Sequence, residues 1–114
     1  MFILEDEPML AIELENELEA AGFEVAATAA SVESGLAKIR SVQFDVAVLD
    51  ANLFGQSSEP VASALKQKRK PFVFISGYRR EALPQGFEDI PLLSKPFNPS
   101  TLIEVLRQET QTDT

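Results

Sequence analysis

The chain has 114 residues, 45% of them apolar, which suffices for one compact core and leaves little for a second. Its formal net charge of −8 weighs against nucleic acid or an anionic membrane surface as a direct partner. The absence of cysteine and histidine excludes disulfides, thiolate metal sites and imidazole chemistry.

Residues 2–4, Phe-Ile-Leu, read as a short buried strand that runs into Glu5 and Asp6. Pro8 suits the first turn of a helix, whose Leu10, Leu14, Leu18 and Ala21 share an apolar stripe until Gly22 stops it. Residues 23–27 predict a second strand, less apolar and so nearer a sheet edge. Ser31 caps a second helix with Leu36 and Ile39 facing inward. Residues 44–50 predict the most buried strand, ending in Asp50, and residues 52–58 a polar loop around Gly55. A third helix is expected over residues 60–68, with the cationic run Lys66 to Lys70 as its solvated C-terminus. Residues 72–76 predict a fourth strand ending in Ser76. Pro84 and Gly86 interrupt any long helix in residues 77–90, so the fourth helical position is irregular. Residues 91–94 give a short fifth strand leading to Lys95. Residues 99–108 predict a last helix with Leu102, Val105 and Leu106 inward, and residues 109–114 a disordered tail.

Short runs of Val, Ile, Leu and Phe without alternation mark strands buried on both faces, which belong to parallel sheets. Alternation with helices then predicts right-handed crossovers and an α/β fold: a doubly wound five-stranded parallel sheet in a three-layer sandwich. No apolar stretch approaches membrane-spanning length and no cationic signal-peptide flank stands at the N-terminus, so a cytoplasmic protein is expected. Parallel strands all end on one edge, where ligand sites gather. Glu5, Asp6, Asp50, Ser76 and Lys95 would converge there although they are scattered along the chain. The Glu5-Asp6-Glu7-Pro8 turn would repel a phosphate on its own, and this acidic edge calls for a cation.

With these residues in this order, the chain resembles the receiver domain of two-component response regulators over residues 1–108, a flavodoxin-like fold. The resemblance rests on the acidic pair Glu5 and Asp6, on Asp50, on Ser76, and on the Lys95-Pro96-Phe97 tripeptide, each following its own strand. It implies that Asp50 accepts a phosphoryl group from a phosphohistidine on a sensor histidine kinase or a histidine phosphotransfer protein. It implies Mg²⁺ held by Asp6, Asp50 and the backbone carbonyl of Asn52, with Glu5 acting through water. Lys95 would pair with the carboxylate and later with a phosphoryl oxygen, and Ser76 would donate to another. The expected outcome is a change in affinity for a downstream partner, not enzymatic turnover.

The chemistry asks for these residue types on its own terms. A carboxylate is a competent nucleophile toward phosphorus and gives an acyl phosphate. It approaches a phosphoryl dianion only when a divalent ion and a lysine neutralise the charge. Two carboxylates about 4 Å apart repel by roughly 4 kcal/mol at an effective dielectric near 20. Magnesium suits a site with two or three protein oxygens, because the remaining positions are left for water and phosphate.

Taken singly, each element has a plainer reading. Glu5 to Glu7 would favour a helix dipole, Asp50 would cap the loop after it, and Ser76-Gly77 and Lys95-Pro96 would be turns. The site reading rests on all of them holding their order at successive strand ends. Three features depart from the family pattern. Glu5 stands where a second aspartate is common. Leu92 occupies a position often held by a switching aromatic, and Pro84 with Gly86 disturbs the fourth helix. Signal output is therefore expected through residues 77–90, with Tyr78 shielding the acyl phosphate from water. One alternative is a scaffold that keeps the fold without phosphotransfer. Another is a small Mg²⁺-dependent aspartyl-phosphatase, disfavoured because Asn52 stands where such enzymes place a general-acid carboxylate. With nothing beyond the last helix, a stand-alone receiver or one excised from a hybrid kinase is expected.

Overall fold

A computed structural model describes residues 1–53, 55–77 and 86–110. Five parallel strands form the central sheet: β1 (Phe2–Leu4), β2 (Ala27–Ala29), β3 (Ala47–Asp50), β6 (Phe72–Ser76) and β7 (Leu92–Ser94). Among the described residues, four helices connect or follow them: α1 (Pro8–Ala20), α2 (Val32–Ser41), α3 (Glu59–Gln67) and α4 (Pro99–Thr110). The spatial order is β2-β1-β3-β6-β7, and every pair is parallel. The chain leaves β1 toward one edge and, from β3 onward, builds toward the other. The crevice between the ends of β1 and β3 is thus the topological switch point of the sheet.

Strand side chains alternate between two faces because the pleat has a period of two. Phe2, Leu4, Ala47, Leu49, Phe72 and Phe74 pack with Val32 and Ile39 of α2 and with Val61 and Leu65 of α3. Ile3, Val48, Val73 and Ile75 pack on the other face with Leu14 and Leu18 of α1 and with Leu102 and Leu106 of α4. The result is the three-layer sandwich, and each fully buried large side chain contributes roughly 1.5–3 kcal/mol. Gly35 of α2 lets that helix press on the sheet. A Cβ there would lie 3.1 Å from Leu4 Cδ1 and 3.3 Å from Val61 Cγ2. No helix among the described residues is long and apolar enough to cross a membrane.

Several boundaries differ from the sequence reading. The second strand lies at Ala27–Ala29, not residues 23–27: Phe23 and Val25 pack, partly buried, on the α1 and α4 side, and the ladder with Phe2–Leu4 falls to the residues that follow. The third strand enters the ladder only at Ala47, although Val46 already accepts the Phe2 N–H at 3.0 Å. Residues 52–58 are not a plain loop. They carry a two-stranded antiparallel hairpin, β4 (Asn52–Leu53) and β5 (Gln56–Ser57), turned with Gly55 at φ 81° and anchored by the buried Leu53. The last helix runs to Thr110, so Glu109 and Thr110 are helical and not tail. The Thr110 hydroxyl donates to the Leu106 and Arg107 carbonyls. The expectations for Tyr78, Pro84, most of residues 77–90 and the tail from residue 111 lie outside the described residues. At the near end of that segment, Phe87 is buried edge-on against Phe72 and Phe74, and the Lys66 ammonium lies 4.8 Å from its ring centroid while donating to the Gly86 carbonyl.

Candidate functional site

The C-terminal ends of the strands bring together what the sequence scatters. Glu5 and Asp6 follow β1, Asp50 closes the adjacent β3, and Ser76 closes β6, one residue beyond the partner of Asp50. Lys95 follows β7, and its backbone N–H donates to the Ser76 carbonyl at 2.8 Å, tying the last two strand ends together. The Lys95-Pro96 peptide is cis.

One carboxylate oxygen each from Glu5, Asp6 and Asp50 lies within 4.8 Å of the others. The Lys95 ammonium sits 3.0 Å from Asp50 Oδ2 and 3.2 Å from Glu5 Oε1. Asp50 is almost wholly buried, at 4% exposure, and its Oδ1 accepts the Asn52 backbone N–H at 3.1 Å. The two oxygens of Asp50 therefore have separate holders, one amide and one ammonium. Glu5, at 2% exposure, accepts the Glu7 N–H through Oε2 at 3.0 Å, whereas its buried Oε1 has no hydrogen-bond partner among the described residues.

Electrostatics follow from this crowding. Burial pushes the Glu5 carboxyl up to about 7; the Glu7 N–H opposes the shift, the Asp50 charge and a hydrogen bond with Asp6 add to it, and Lys95 opposes it. Burial alone would lower the Lys95 pKa, but its hydrogen bond to Asp50 and the charges of Asp50 and Glu5 outweigh that and raise it. Among the described residues, the Lys95 ammonium pairs with two carboxylates of this group of three. The donor set is hard oxygen, and one buried oxygen lacks a hydrogen-bond partner, so the residues present suit a small divalent cation such as Mg²⁺.

A family model of the response regulator receiver domain matches residues 1–107. The chain belongs to this family. Its receiver domain has a solved counterpart in SdrG from Sphingomonas melonis Fr1, 37% identical with a TM-score of 0.81 over 93% of this chain and 91% of that one. The BeF3-activated conformation of SdrG from Pseudomonas melonis Fr1 is 35% identical, with a TM-score of 0.79 over 96% and 93%. A curated relative, the sensory transduction protein LytR of Staphylococcus haemolyticus (strain JCSC1435), is 33% identical over 100 residues. That match covers 83% of this chain but only 39% of the relative. Receiver domains are generally signalling modules that bind Mg²⁺ in an acidic pocket and work with histidine kinases or phosphotransfer proteins.

Glu5, Asp6, Asp50, Asn52, Ser76 and Lys95 lie at this edge of the sheet, whereas Tyr78 lies outside the described residues. The Asn52 side chain is engaged in the hairpin, its Oδ1 accepting the Gly55 N–H at 2.8 Å, while its backbone N–H reaches Asp50. What Asn52 offers the centre is backbone. Sequence reasoning missed Glu7, whose amide holds Glu5, and Ser58, which is 1% exposed and donates to the Ala51 carbonyl. Ser58 falls at the end of the stretch that reads as a polar loop, where nothing in the sequence singles it out.

Proposed function

We propose that this receiver domain accepts a phosphoryl group on Asp50 from the phosphohistidine of a sensor histidine kinase or phosphotransfer protein, and that the acyl phosphate alters its affinity for a downstream protein in the cytoplasm. One observation carries the reading: the buried Asp50 carboxylate is gripped by one amide and one ammonium beside two further carboxylates. In the transfer, an Asp50 oxygen forms the new P–O bond while the P–N bond of the phosphohistidine breaks, and the released imidazole nitrogen takes up a proton. Asp6, Asp50 and the Asn52 carbonyl would hold Mg²⁺, with Glu5 acting through water. Bound there, the ion supplies charge neutralisation for the phosphoryl oxygens. Lys95 exchanges its Asp50 partner for a phosphoryl oxygen and remains held near by Glu5. Ser76 donates to another phosphoryl oxygen from the end of β6. The BeF3-activated conformation of SdrG, whose ligand imitates a phosphoryl group, supports extending this behaviour to the present chain.

Incubation with acetyl phosphate and Mg²⁺ tests the proposal. One phosphoryl group should appear on the intact chain by mass spectrometry, labile to hydroxylamine, absent in Asp50→Asn and much reduced in Lys95→Ala. A chain that stays unlabelled under conditions that modify SdrG would return the fold to the scaffold reading.

A further inference from the structure

Ser58 stands at the N-cap of α3, where a serine hydroxyl ordinarily accepts an amide of the first helical turn. It makes no such cap. The job at that helix start goes to its neighbour, because Ser57 Oγ accepts the Glu59 N–H at 3.1 Å. The Ser58 hydroxyl instead turns back and donates to the Ala51 carbonyl at 3.2 Å, and the Ser58 amide donates to the same oxygen at 3.1 Å. Both bonds are sheltered, with Ser58 only 1% exposed.

The carbonyl they grip belongs to a particular peptide unit. Its other end is the Asn52 N–H, which donates to Asp50 Oδ1 at 3.1 Å. A peptide unit is planar, so fixing the direction of its carbonyl fixes the direction of its N–H. The preceding Ala51 N–H is itself held by the Ile75 carbonyl of β6 at 2.9 Å, and the Asn52 side chain is held by Gly55, so little slack remains around this plane. We propose that Ser58 is a positioning residue for Asp50, acting through the Ala51–Asn52 peptide plane to hold Oδ1 and so keep the carboxylate oriented for phosphoryl transfer. The inference rests on the phosphoacceptor reading of Asp50. The same plane leads into the Asn52 carbonyl offered to Mg²⁺, so metal affinity depends on it as well.

Ser58→Ala removes one hydroxyl from a packed position and leaves the backbone bond to Ala51 in place. In the full chain without metal, the Asn52 amide proton should move upfield in the ¹⁵N–¹H spectrum as its bond to Asp50 loosens. Mg²⁺ affinity and the rate of labelling by acetyl phosphate should each fall about fivefold, the equivalent of one ordinary hydrogen bond. Ser57→Ala is the control. It removes the hydroxyl that serves α3, should lower thermal stability, and should leave the labelling rate and the Mg²⁺ affinity where they were. An Asn52 resonance that stays put in Ser58→Ala, or one that moves with no loss in labelling rate, overturns the assignment. A wild-type chain that takes no phosphoryl group overturns the phosphoacceptor reading instead, and the Asn52 resonance then still decides whether Ser58 sets this peptide.

Discussion

The five strands have two ends, and charge is handled differently at each. At the C-terminal ends Glu5, Asp6 and Asp50 crowd together, Glu5 and Asp50 are buried, and both of these pair with the Lys95 ammonium. At the N-terminal ends the Met1 amino group donates to the Glu24 carbonyl at 2.8 Å, and Glu24, Asp45, Arg69 and Lys70 line an open polar cleft around it. There both signs of charge are present and water reaches them; burial lowers the amino group's pKa, while Asp45 and Glu24 oppose the change. The same backbone ladder therefore carries a frustrated end and a relaxed one. Frustration at the first end leaves a demand for positive charge, which a phosphoryl acceptor and metal site would use.

The largest expected effect comes from relieving that frustration. Glu5 has a folded-state pKa of about 7 against an ordinary 4.5, so the folded chain retains a proton that the unfolded chain has given up between those values. Its contribution to stability is full below pH 4.5 and is lost as the pH rises through about 7. Metal-free protein should accordingly lose on the order of 3 kcal/mol from pH 4.5 to pH 8 through this group. Glu5→Gln should flatten that part of the profile and be the more stable chain at pH 8. Urea melts of both at several pH values check this, and parallel profiles would remove Glu5 as the cause.

Next comes the cation itself. At a hundredfold excess over its dissociation constant, Mg²⁺ should stabilise the fold by about 2.7 kcal/mol. The gain should be greater at pH 8 than at pH 5.5, because binding needs the Glu5 proton released. Thermal melts with and without Mg²⁺ measure it, and Asp6→Asn should erase the shift. The relaxed end should respond weakly: Asp45→Asn is expected to change stability by no more than about 1 kcal/mol, since exposed pairs count for little. A larger loss in chemical denaturation would mean that the two ends are less different than their geometry suggests.

The smallest effect tests backbone and not charge at the relaxed end. Arg69 follows α3 at φ 57°, with its N–H on the Lys66 carbonyl and the Lys70 N–H on the Leu65 carbonyl. This is a helix stop that glycine fits best. Relief of roughly 1–2 kcal/mol of left-handed strain, less roughly 0.5–1 kcal/mol of added chain entropy, leaves Arg69→Gly about 0.5 kcal/mol more stable. A destabilised variant would show that the Arg69 side chain contributes packing or charge that outweighs the strain.

The strand ends were legible because they are written in burial. Apolar runs such as Val46 to Leu49 and Phe72 to Ile75 stop abruptly at Asp50 and Ser76, and a parallel sheet gathers such stops on one edge. Ser31 was legible as a cap and behaves as one, accepting the Ser34 N–H at 3.1 Å. β2 was not legible, because pairing with Phe2–Leu4 chose the small residues Ala27–Ala29 over the more strand-like Phe23 and Val25. Tertiary register overrode local propensity there. The Asn52–Leu53 and Gln56–Ser57 hairpin hid behind a polar composition, and Ser58 with it at the end of the same stretch. In the site, the identities of the charged residues and the Lys95 pairing with Asp50 could be read, whereas the Asn52 amide that holds the other Asp50 oxygen could not.

The Lys95 ammonium meets Asp50 across 45 residues of chain and meets Glu5 near the opposite terminus. These partners stand at the ends of three different strands, so no short fragment of the chain holds the whole constellation. Contacts of such long sequence separation form late, after the costly loops between them have closed. A nascent or partly unravelled chain would therefore present its carboxylates singly to solvent and be a poor phosphoryl acceptor. With Asp50 as the proposed phosphoacceptor, completed folding would be a precondition for receiving a signal, and unfinished copies would stay silent without a separate checkpoint.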